Sequence, residues 1–378
     1  MRVLVLNCGS SSIKYQLFDG DAVIAKGIVE RIGEPGSDVA DHRDGLTRVM
    51  DTVAPFTAAG GLEAIGHRVV HGGEQFVAPT LIDGAVIERI RAQIPLAPLH
   101  NPANLMGIEV AVELEPDVPQ VAVFDTAFHR TIPAHAYRYA IPEWAYRDHG
   151  VRRYGFHGTS HAFVARMAAQ LLGRELSGMN IITLHLGNGA SAAAIRGGDS
   201  VETSMGMSPL EGLVMGSRSG DLDPAIVFHL QRSAGLESAE VERMLNRESG
   251  LMGLCGASDL REIERRATAG DEAARLAIDV YCHRIRKYVG AYLAILGGAD
   301  AIVFTGGVGE NQPGIRERSL AGMERLGIDL DPRANEAADP RAAPATINSP
   351  DSTTAVLVIA TNEELEIANQ VRSVVAGR

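Results

Sequence analysis

Arg68 ends an apolar run, Ala64-Ile65-Gly66-His67-Arg68-Val69-Val70, and is followed by His71-Gly72-Gly73. At the end of a buried strand and beside a glycine pair, an arginine can grip an anion with its planar fork; a solvated strand arginine is the other reading. Arg218 projects from Gly216-Ser217-Arg218-Ser219-Gly220, within a stretch from Glu202 to Pro224 that is rich in turns and yet apolar. Surface loops seldom combine the two, so the stretch is expected to line a cleft, with Arg218 as a second anion grip. Asp125 follows Val121-Ala122-Val123-Phe124 at the carboxyl end of a short buried strand. Open α/β sheets place chemistry there, and a turn-capping role is equally open to it. His157, in Tyr154-Gly155-Phe156-His157-Gly158, lies in a loop just ahead of a helix capped by Thr159 or Ser160. A histidine there meets a substrate more readily than one on a core face, although local hydrogen bonding alone would also account for it. His100, in Leu99-His100-Asn101-Pro102, reads as a capping or packing histidine, with Asn101 as N-cap and Pro102 at the first helical position. Near the end of the chain Thr361 and Glu364 have capping-box spacing. Glu363 is left at a strand-to-helix junction, where it can hold a Mg²⁺-bound water.

Three strand-to-glycine turns would position these groups. Val3 to Leu6 reads as a buried strand that stops at Asn7-Cys8-Gly9-Ser10-Ser11-Ser12 before alternation resumes in Ile13-Lys14-Tyr15-Gln16-Leu17-Phe18. The result is a hairpin whose tip is rich in backbone N–H groups and hydroxyls, with Lys14 bringing a charge back toward it, and such a tip suits a polyanion. A second copy runs Ile181-Ile182-Thr183-Leu184-His185-Leu186-Gly187-Asn188-Gly189-Ala190-Ser191. A third glycine turn follows Ala301 to Thr305 as Gly306-Gly307-Val308-Gly309-Glu310-Asn311. Two opposed phosphate hairpins suggest a nucleotide held in a cleft between duplicated halves.

The remaining elements are scaffold: a third strand from Ala22 to Val29, a loop from Arg31 to Gly45, a helix near Leu46 to Val53, and a long helix from Asp271 to Leu296. At 378 residues two domains are expected. A net charge of -12 argues against nucleic acid or an anionic membrane as partner, while a small anionic substrate fits a locally basic site. Cys8, Cys255 and Cys282 have no metal-type spacing and read as reduced cytosolic thiols. The first residues lack the pattern of a signal peptide, and no apolar run is long enough to span a bilayer, so a cytoplasmic location is expected.

These segments together resemble the acetate kinase family, within the superfamily that joins acetate and sugar kinases with actin. The resemblance runs from Met1 to about Val375, with Asp19 to Gly60 shorter than usual, Cys8 in the place of an alanine, and Gly306-Gly307-Val308 in the place of Ala-Gly-Ile. It implies an α/β fold of two duplicated actin-like, ribonuclease H-like domains about a nucleotide cleft. One would be 1–126, rejoined by a C-terminal helix at 362–378, and the other 127–361, which would carry the nucleotide loops and a homodimer interface. The implied reaction is ATP + acetate ⇌ ADP + acetyl phosphate, by direct in-line transfer. Similar enzymes use the residues matching Asn7 and Glu363 for Mg²⁺, for which Mn²⁺ can substitute, and those matching Ser10, Ser12 and Lys14 near the phosphates. The second phosphate loop would be His185, Leu186, Gly187, Asn188 and Gly189. The adenosine side would fall to Asp259, Leu260 and Arg261 with Gly307, Val308, Gly309, Glu310 and Asn311. Arg68, Asp125, His157 and Arg218 match the catalytic set, and Val70, Leu99, Phe156 and Pro209, with His100 beside them, the substrate pocket.

Elementary chemistry agrees with that implication. Acetate is already ionised near pH 7 and needs no base, so catalysis must come from aligning two anions and neutralising charge on the transferring group. Asp125 would then organise Mg²⁺ waters or orient Arg68 or Arg218. A propionate kinase, a nucleotide-switched actin-like binding protein and a pyrophosphate-linked relative are the alternatives.

Overall fold

Val3, Leu4, Val5 and Leu6 are all buried, so strand β1 (Arg2–Cys8) has both faces covered, as a continuous apolar run requires. In this computed structural model, which describes residues 1–57 and 60–377, the chain divides into two units. The first comprises Met1–Arg130, Gly158–Ser160 and Asn362–Arg378. The second comprises Thr131–His157 and His161–Thr361.

The sheet of the first unit is built from β1, β2 (Ser12–Asp19), β3 (Ala22–Glu30), β4 (Ala64–Val69), β5 (Thr80–Leu81) and β6 (Gln120–Phe124), in the order β3-β2-β1-β4-β6-β5. β1 and β2 form the opening hairpin with Asn7 opposite Lys14, and β4 and β6 run parallel to β1 and to each other. The C-terminal helix Glu363–Ala376 packs on this sheet through Ile367, Ala368 and Val371, against Val3, Val5 and Ala64. Gly66 in β4 admits that approach, since a Cβ there would stand 2.7 Å from Val371 Cγ2 and 3.0 Å from Ile367 Cγ2.

The second unit repeats the plan. Its strands are β7 (Asn180–Leu186), β8 (Ala190–Arg196), β9 (Asp199–Thr203), β10 (Ala301–Thr305), β11 (Ala345–Thr346) and β12 (Ala355–Val358), in the order β11-β12-β10-β7-β8-β9. β7, β8 and β9 form an antiparallel meander as β1, β2 and β3 do, and β10 and β12 run parallel to β7 as β4 and β6 do to β1. The duplication expected from the two glycine hairpins is therefore present in the whole order of both sheets. The helix Glu272–Leu296, N-capped by Asp271, lines the core of this unit with Ala277, Ile278, Ile285 and Val289.

Several helix starts differ from the sequence reading. Asn101 lies inside its helix, with His100 at the cap position, because the Asn101 amide is drawn inward to the backbone of His71. The helix Gly158–Leu171 begins ahead of both expected caps. Asn362, and not Thr361, caps the last helix, accepting from the Leu365 amide. The third glycine stretch is a short helix, Gly306–Asn311, entered directly from β10. Gly306 has φ 76°, and a Cβ there would strike the backbone of Leu186, so only glycine allows β10 to turn this close to β7.

Candidate active site

In the first unit the sheet places Arg68 and Asp125 side by side. Arg68 lies opposite Val123 in the β4–β6 register, and Asp125 follows the end of β6 with its N–H donating to the Val69 carbonyl at 3.0 Å. The two side chains form a bidentate pair, Arg68 Nε to Oδ1 at 2.9 Å and Nη2 to Oδ2 at 2.6 Å. Glu363 Oε2 stands 4.0 Å from the same Nε. Asp125 is 1% exposed, whereas the Arg68 side chain keeps 19%. Burial works against the charge of Arg68, but Asp125 and Glu363 more than compensate and hold its pKa above the ordinary range. Glu363 is pushed the other way for a carboxylate: burial raises its pKa, Arg68 opposes the rise, and Asp125 adds to it. The Asp125 carbonyl accepts the Gly158 N–H at 2.9 Å, and a side chain at Gly158 would strike that oxygen.

Around this pair the buried Asn104 accepts from the Val70 N–H at 3.0 Å and donates to the Cys8 carbonyl at 2.7 Å, so one amide ties the loop after β4 to the end of β1. At the hairpin tip Gly9 donates to the Ser12 carbonyl at 2.8 Å, and its own carbonyl meets His42 Nε2 at 2.8 Å. Ser10 and Lys14 are exposed, and Asn7 and Ser12 half-buried. Leu99 is 50% exposed. Burial raises the Cys8 thiol to about 12, so this residue is packing, with its Sγ against Gly107.

In the second unit the groups gather at the hairpin of β7 and β8. A Cβ placed on Gly189 would be 3.6 Å from His157 Cε1 and Nε2 and 3.7 Å from Arg218 Nη1, so an imidazole and a guanidinium converge on this turn. His157 has φ 56°, a left-handed conformation unusual for a residue other than glycine, and such strain collects at functional sites. Its ring stacks on that of His185 at 4.3 Å. Arg218 Nη1 donates to the Pro209 carbonyl at 3.0 Å, and burial lowers its pKa. The Gly216 N–H donates to the Asn188 carbonyl at 2.9 Å, joining the Arg218 loop to the hairpin tip. Arg153 secures the start of that loop: it donates to the carbonyls of Thr203, Ser204 and Met205 and to Glu211 Oε1 at 2.7 Å. Phe156, expected in the substrate pocket, is 2% exposed and Pro209 is half-buried.

A cavity of about 630 Å³ opens beside the same turn, lined by Gly187, Asn188, Leu251, Ser258, Asp259, Leu260, Arg261, Gly307, Val308, Asn311, Gln312 and Arg341. Its size suits a nucleotide-sized ligand. Asp259 caps the helix Leu260–Thr268 and pairs with the Arg261 side chain, which draws its pKa down to about 2. Leu186 and Gly309 are buried and lie off the cavity wall, as do His185 and Glu310. Glu310 Oε1 accepts the N–H groups of Gly306 and Thr361, each at 3.0 Å, which fixes the turn out of β10. Ser258 and Gln312 adjoin residues read from the sequence, whereas Leu251 and Arg341 come from stretches that carry no motif.

A duplicated actin-like α/β fold, with glycine hairpins, a half-buried arginine at the site in each unit and a cavity at the second hairpin, defines a class of phosphotransferases. The model of the acetokinase family matches residues 2–369. The acetate kinase of Streptomyces avermitilis is 53% identical over 99% of this chain and 97% of its own length, and that of Clavibacter michiganensis 54% over 99% of each. Among solved structures, Porphyromonas gingivalis acetate kinase superposes with a TM-score of 0.93 at 44% identity, covering 99% of both chains. A propionate kinase from Francisella tularensis also gives 0.93, at 41% identity over 98% of this chain and 99% of its own. The chain belongs to the acetokinase family, whose members are kinases that phosphorylate a carboxyl group.

Proposed function

We propose that this protein catalyses the reversible, direct in-line transfer of the γ-phosphoryl group of ATP to acetate, giving ADP and acetyl phosphate. The observation that carries it is the convergence of His157 and Arg218 on Gly189, in the turn whose Gly187 and Asn188 also wall the cavity. A nucleotide in that cavity, with Asp259, Leu260 and Arg261 on one side and Gly307, Val308 and Asn311 on the other, would bring its phosphates to the hairpin N–H groups and within reach of His157 and Arg218. Ser10, Ser12 and Lys14 of the first hairpin would serve the same phosphates.

Arg68 is the group we assign to the acetate carboxylate. Asp125 engages Nε and Nη2 and so fixes the plane of the guanidinium, which leaves Nη1 outside the pair, for the substrate carboxylate. Asp125 has no proton to remove from an ionised acid, and its work is to orient Arg68. Val70, Leu99, Phe156 and Pro209 would meet the methyl group, with His100 nearby. Asn7 and Glu363 would hold Mg²⁺, with Mn²⁺ able to replace it. The donor chemistry suits the ion: Glu363 offers a carboxylate and Asn7 an amide oxygen, and Mg²⁺ takes oxygen ligands, one or two carboxylates together with substrate phosphates. The ion would supply charge neutralisation on the phosphoryl oxygens.

The helix Ala225–Ala234 has no fully buried residue, and Ile226 and Phe228 are 42% and 56% exposed. We propose that a second copy of the chain covers it in a homodimer. The free thiols Cys8, Cys255 and Cys282 fit a reducing cytoplasm, and no helix of the described residues is long and apolar enough to cross a membrane.

Trapping acetyl phosphate with hydroxylamine tests the activity: hydroxamate should form with ATP, Mg²⁺ and acetate together. Propionate should react more slowly, since one methylene changes discrimination by only about 1–3 kcal/mol. Equal kcat/KM for the two acids would favour a propionate kinase. ATP hydrolysis indifferent to acetate would favour an actin-like binding protein.

A further inference from the structure

Behind His157 runs a chain of buried side chains that the reaction above does not use. Ser191 Oγ lies 2.9 Å from His157 Nδ1 and 2.7 Å from His161 Nε2, and His161 Nδ1 lies 2.7 Å from Thr183 Oγ1. His161, Ser191 and Thr183 are 0% exposed. Ser191 stands directly opposite His185 in the β7–β8 register, and Thr183 lies two residues back along β7. The sheet and the first turn of the helix Gly158–Leu171 therefore hold the four groups in line.

A serine hydroxyl has one hydrogen, so it cannot donate to both imidazoles. With both rings neutral and Ser191 donating to one of them, the hydrogens have two concerted arrangements. In the first, Thr183 donates to His161 Nδ1, His161 Nε2–H donates to Ser191, and Ser191 donates to His157 Nδ1. His157 then carries its hydrogen on Nε2, at the edge that faces Gly189. In the second every bond is reversed, and both rings carry hydrogen on Nδ1. A charged His157 donates from Nδ1; Ser191 then either accepts from both rings, which leaves its own hydrogen off both, or turns that hydrogen to His161 Nε2 with His161 carrying hydrogen on Nδ1, and the tautomer of His161 separates the two. For the latter the balance is one proton gained at His157 and one hydrogen of His161 relocated from Nε2 to Nδ1.

We propose that Ser191 couples the two histidines, so that the charge on His157 and the tautomer of His161 change together, and that the coupling favours a neutral His157 with its hydrogen on Nε2. Ser191, His161 and Thr183 are positioning residues. Arg218 shares the approach to Gly189 and opposes a second cation there, His185 stacks on the His157 ring, and His161 is its relay partner through Ser191. An Nε2–H donor suits the oxygens of a transferring phosphoryl group. That functional weight rests on the reading of His157 given above, whereas the coupling itself does not.

Nitrogen-15 NMR of the full chain labelled at histidine tests it, with His157→Gln and His161→Gln used for assignment. At neutral pH both rings should show hydrogen on Nε2. As His157 charges on acidification, His161 should move its hydrogen to Nδ1 over the same pH range while remaining neutral. In Ser191→Ala, His157 should still titrate and His161 should keep hydrogen on Nε2. Thr183→Val should also suppress the switch, since it removes the acceptor for His161 Nδ1–H, and it provides the reading if Ser191→Ala does not fold. The proposal is overturned if His161 holds its tautomer while His157 charges in the wild type, if His161 takes up the proton itself, or if either variant leaves the switch intact. Ser191→Ala should also lower kcat about tenfold, below the roughly 10²–10³ that removing such a hydrogen-bond donor costs, with both KM values within about twofold, and Ser191→Thr should restore most of it. A lost switch with unchanged kcat would support the coupling and overturn the role given to His157.

Discussion

Replacing Asp125 by asparagine separates an orienting carboxylate from one that acts on the reacting group. The wild-type carboxylate receives Arg68 Nε at 2.9 Å and Nη2 at 2.6 Å. Asparagine offers one oxygen to this fork and turns its amide NH₂ toward the other N–H, so one of the two charge-assisted bonds becomes a donor facing a donor. Such a bond contributes about 1.5–3 kcal/mol. With 19% of the Arg68 side chain exposed, solvent screens part of the loss, and the lower end applies. A loss of about 1.5–2 kcal/mol corresponds to a rise of roughly 10- to 30-fold in the acetate KM. The KM for ATP should stay within about twofold. Initial rates of hydroxamate formation, with acetate, ATP and Mg²⁺ varied in turn, measure all three dependences. A fall of several hundredfold in kcat, with the acetate KM and the Mg²⁺ dependence unchanged, would refute the orienting role.

Other outcomes follow from single contacts. Gly158→Ala drives a methyl group into the Asp125 carbonyl and to 2.8 Å from Phe128 Cβ, and should cost about 1–3 kcal/mol of stability in denaturant unfolding while raising the acetate KM. His67 is buried with its pKa held down to about 4, so an unfolded chain takes up its proton first. The stability from that neutral ring is whole above about pH 6.5 and declines as pH falls toward 4, by at most about 3 kcal/mol, and His67→Gln should flatten the urea-midpoint profile across that window. Arg261→Ala should raise the KM for ATP several-fold and leave that for acetate unchanged in the same hydroxamate assay. Phe228→Asp should halve the mass seen by light scattering, whereas an unchanged mass would remove this helix from the dimer contact.

The hairpins and the duplication were legible because strand period and glycine-serine turns are local signals: Val3 to Phe18 and Ile181 to Ile195 each pair with their own neighbours. Gly306-Gly307-Val308-Gly309 has the composition of a turn and forms a helix, since Glu310 receives the Gly306 N–H and Leu186 leaves room only for glycine. Local sequence offered Thr159 or Ser160 as the cap of one helix and Asn101 as the cap of another. Asn101 lost the cap because its amide serves His71, a contact 30 residues away. The left-handed backbone of His157 has no signature in a residue that is not glycine. Thr183, Ser191 and His161 are joined by sheet pairing and a helix turn, which no spacing along the chain reveals. Arg341 reaches the cavity from a stretch that carries no motif.

Stereochemistry at phosphorus is the most direct measurement of whether these groups act by holding two anions in line. ATP made chiral at its γ-phosphorus with oxygen isotopes should give acetyl phosphate of inverted configuration. Retention would contradict direct transfer, because the phosphoryl group would then have passed through a covalent bond to a side chain such as His157.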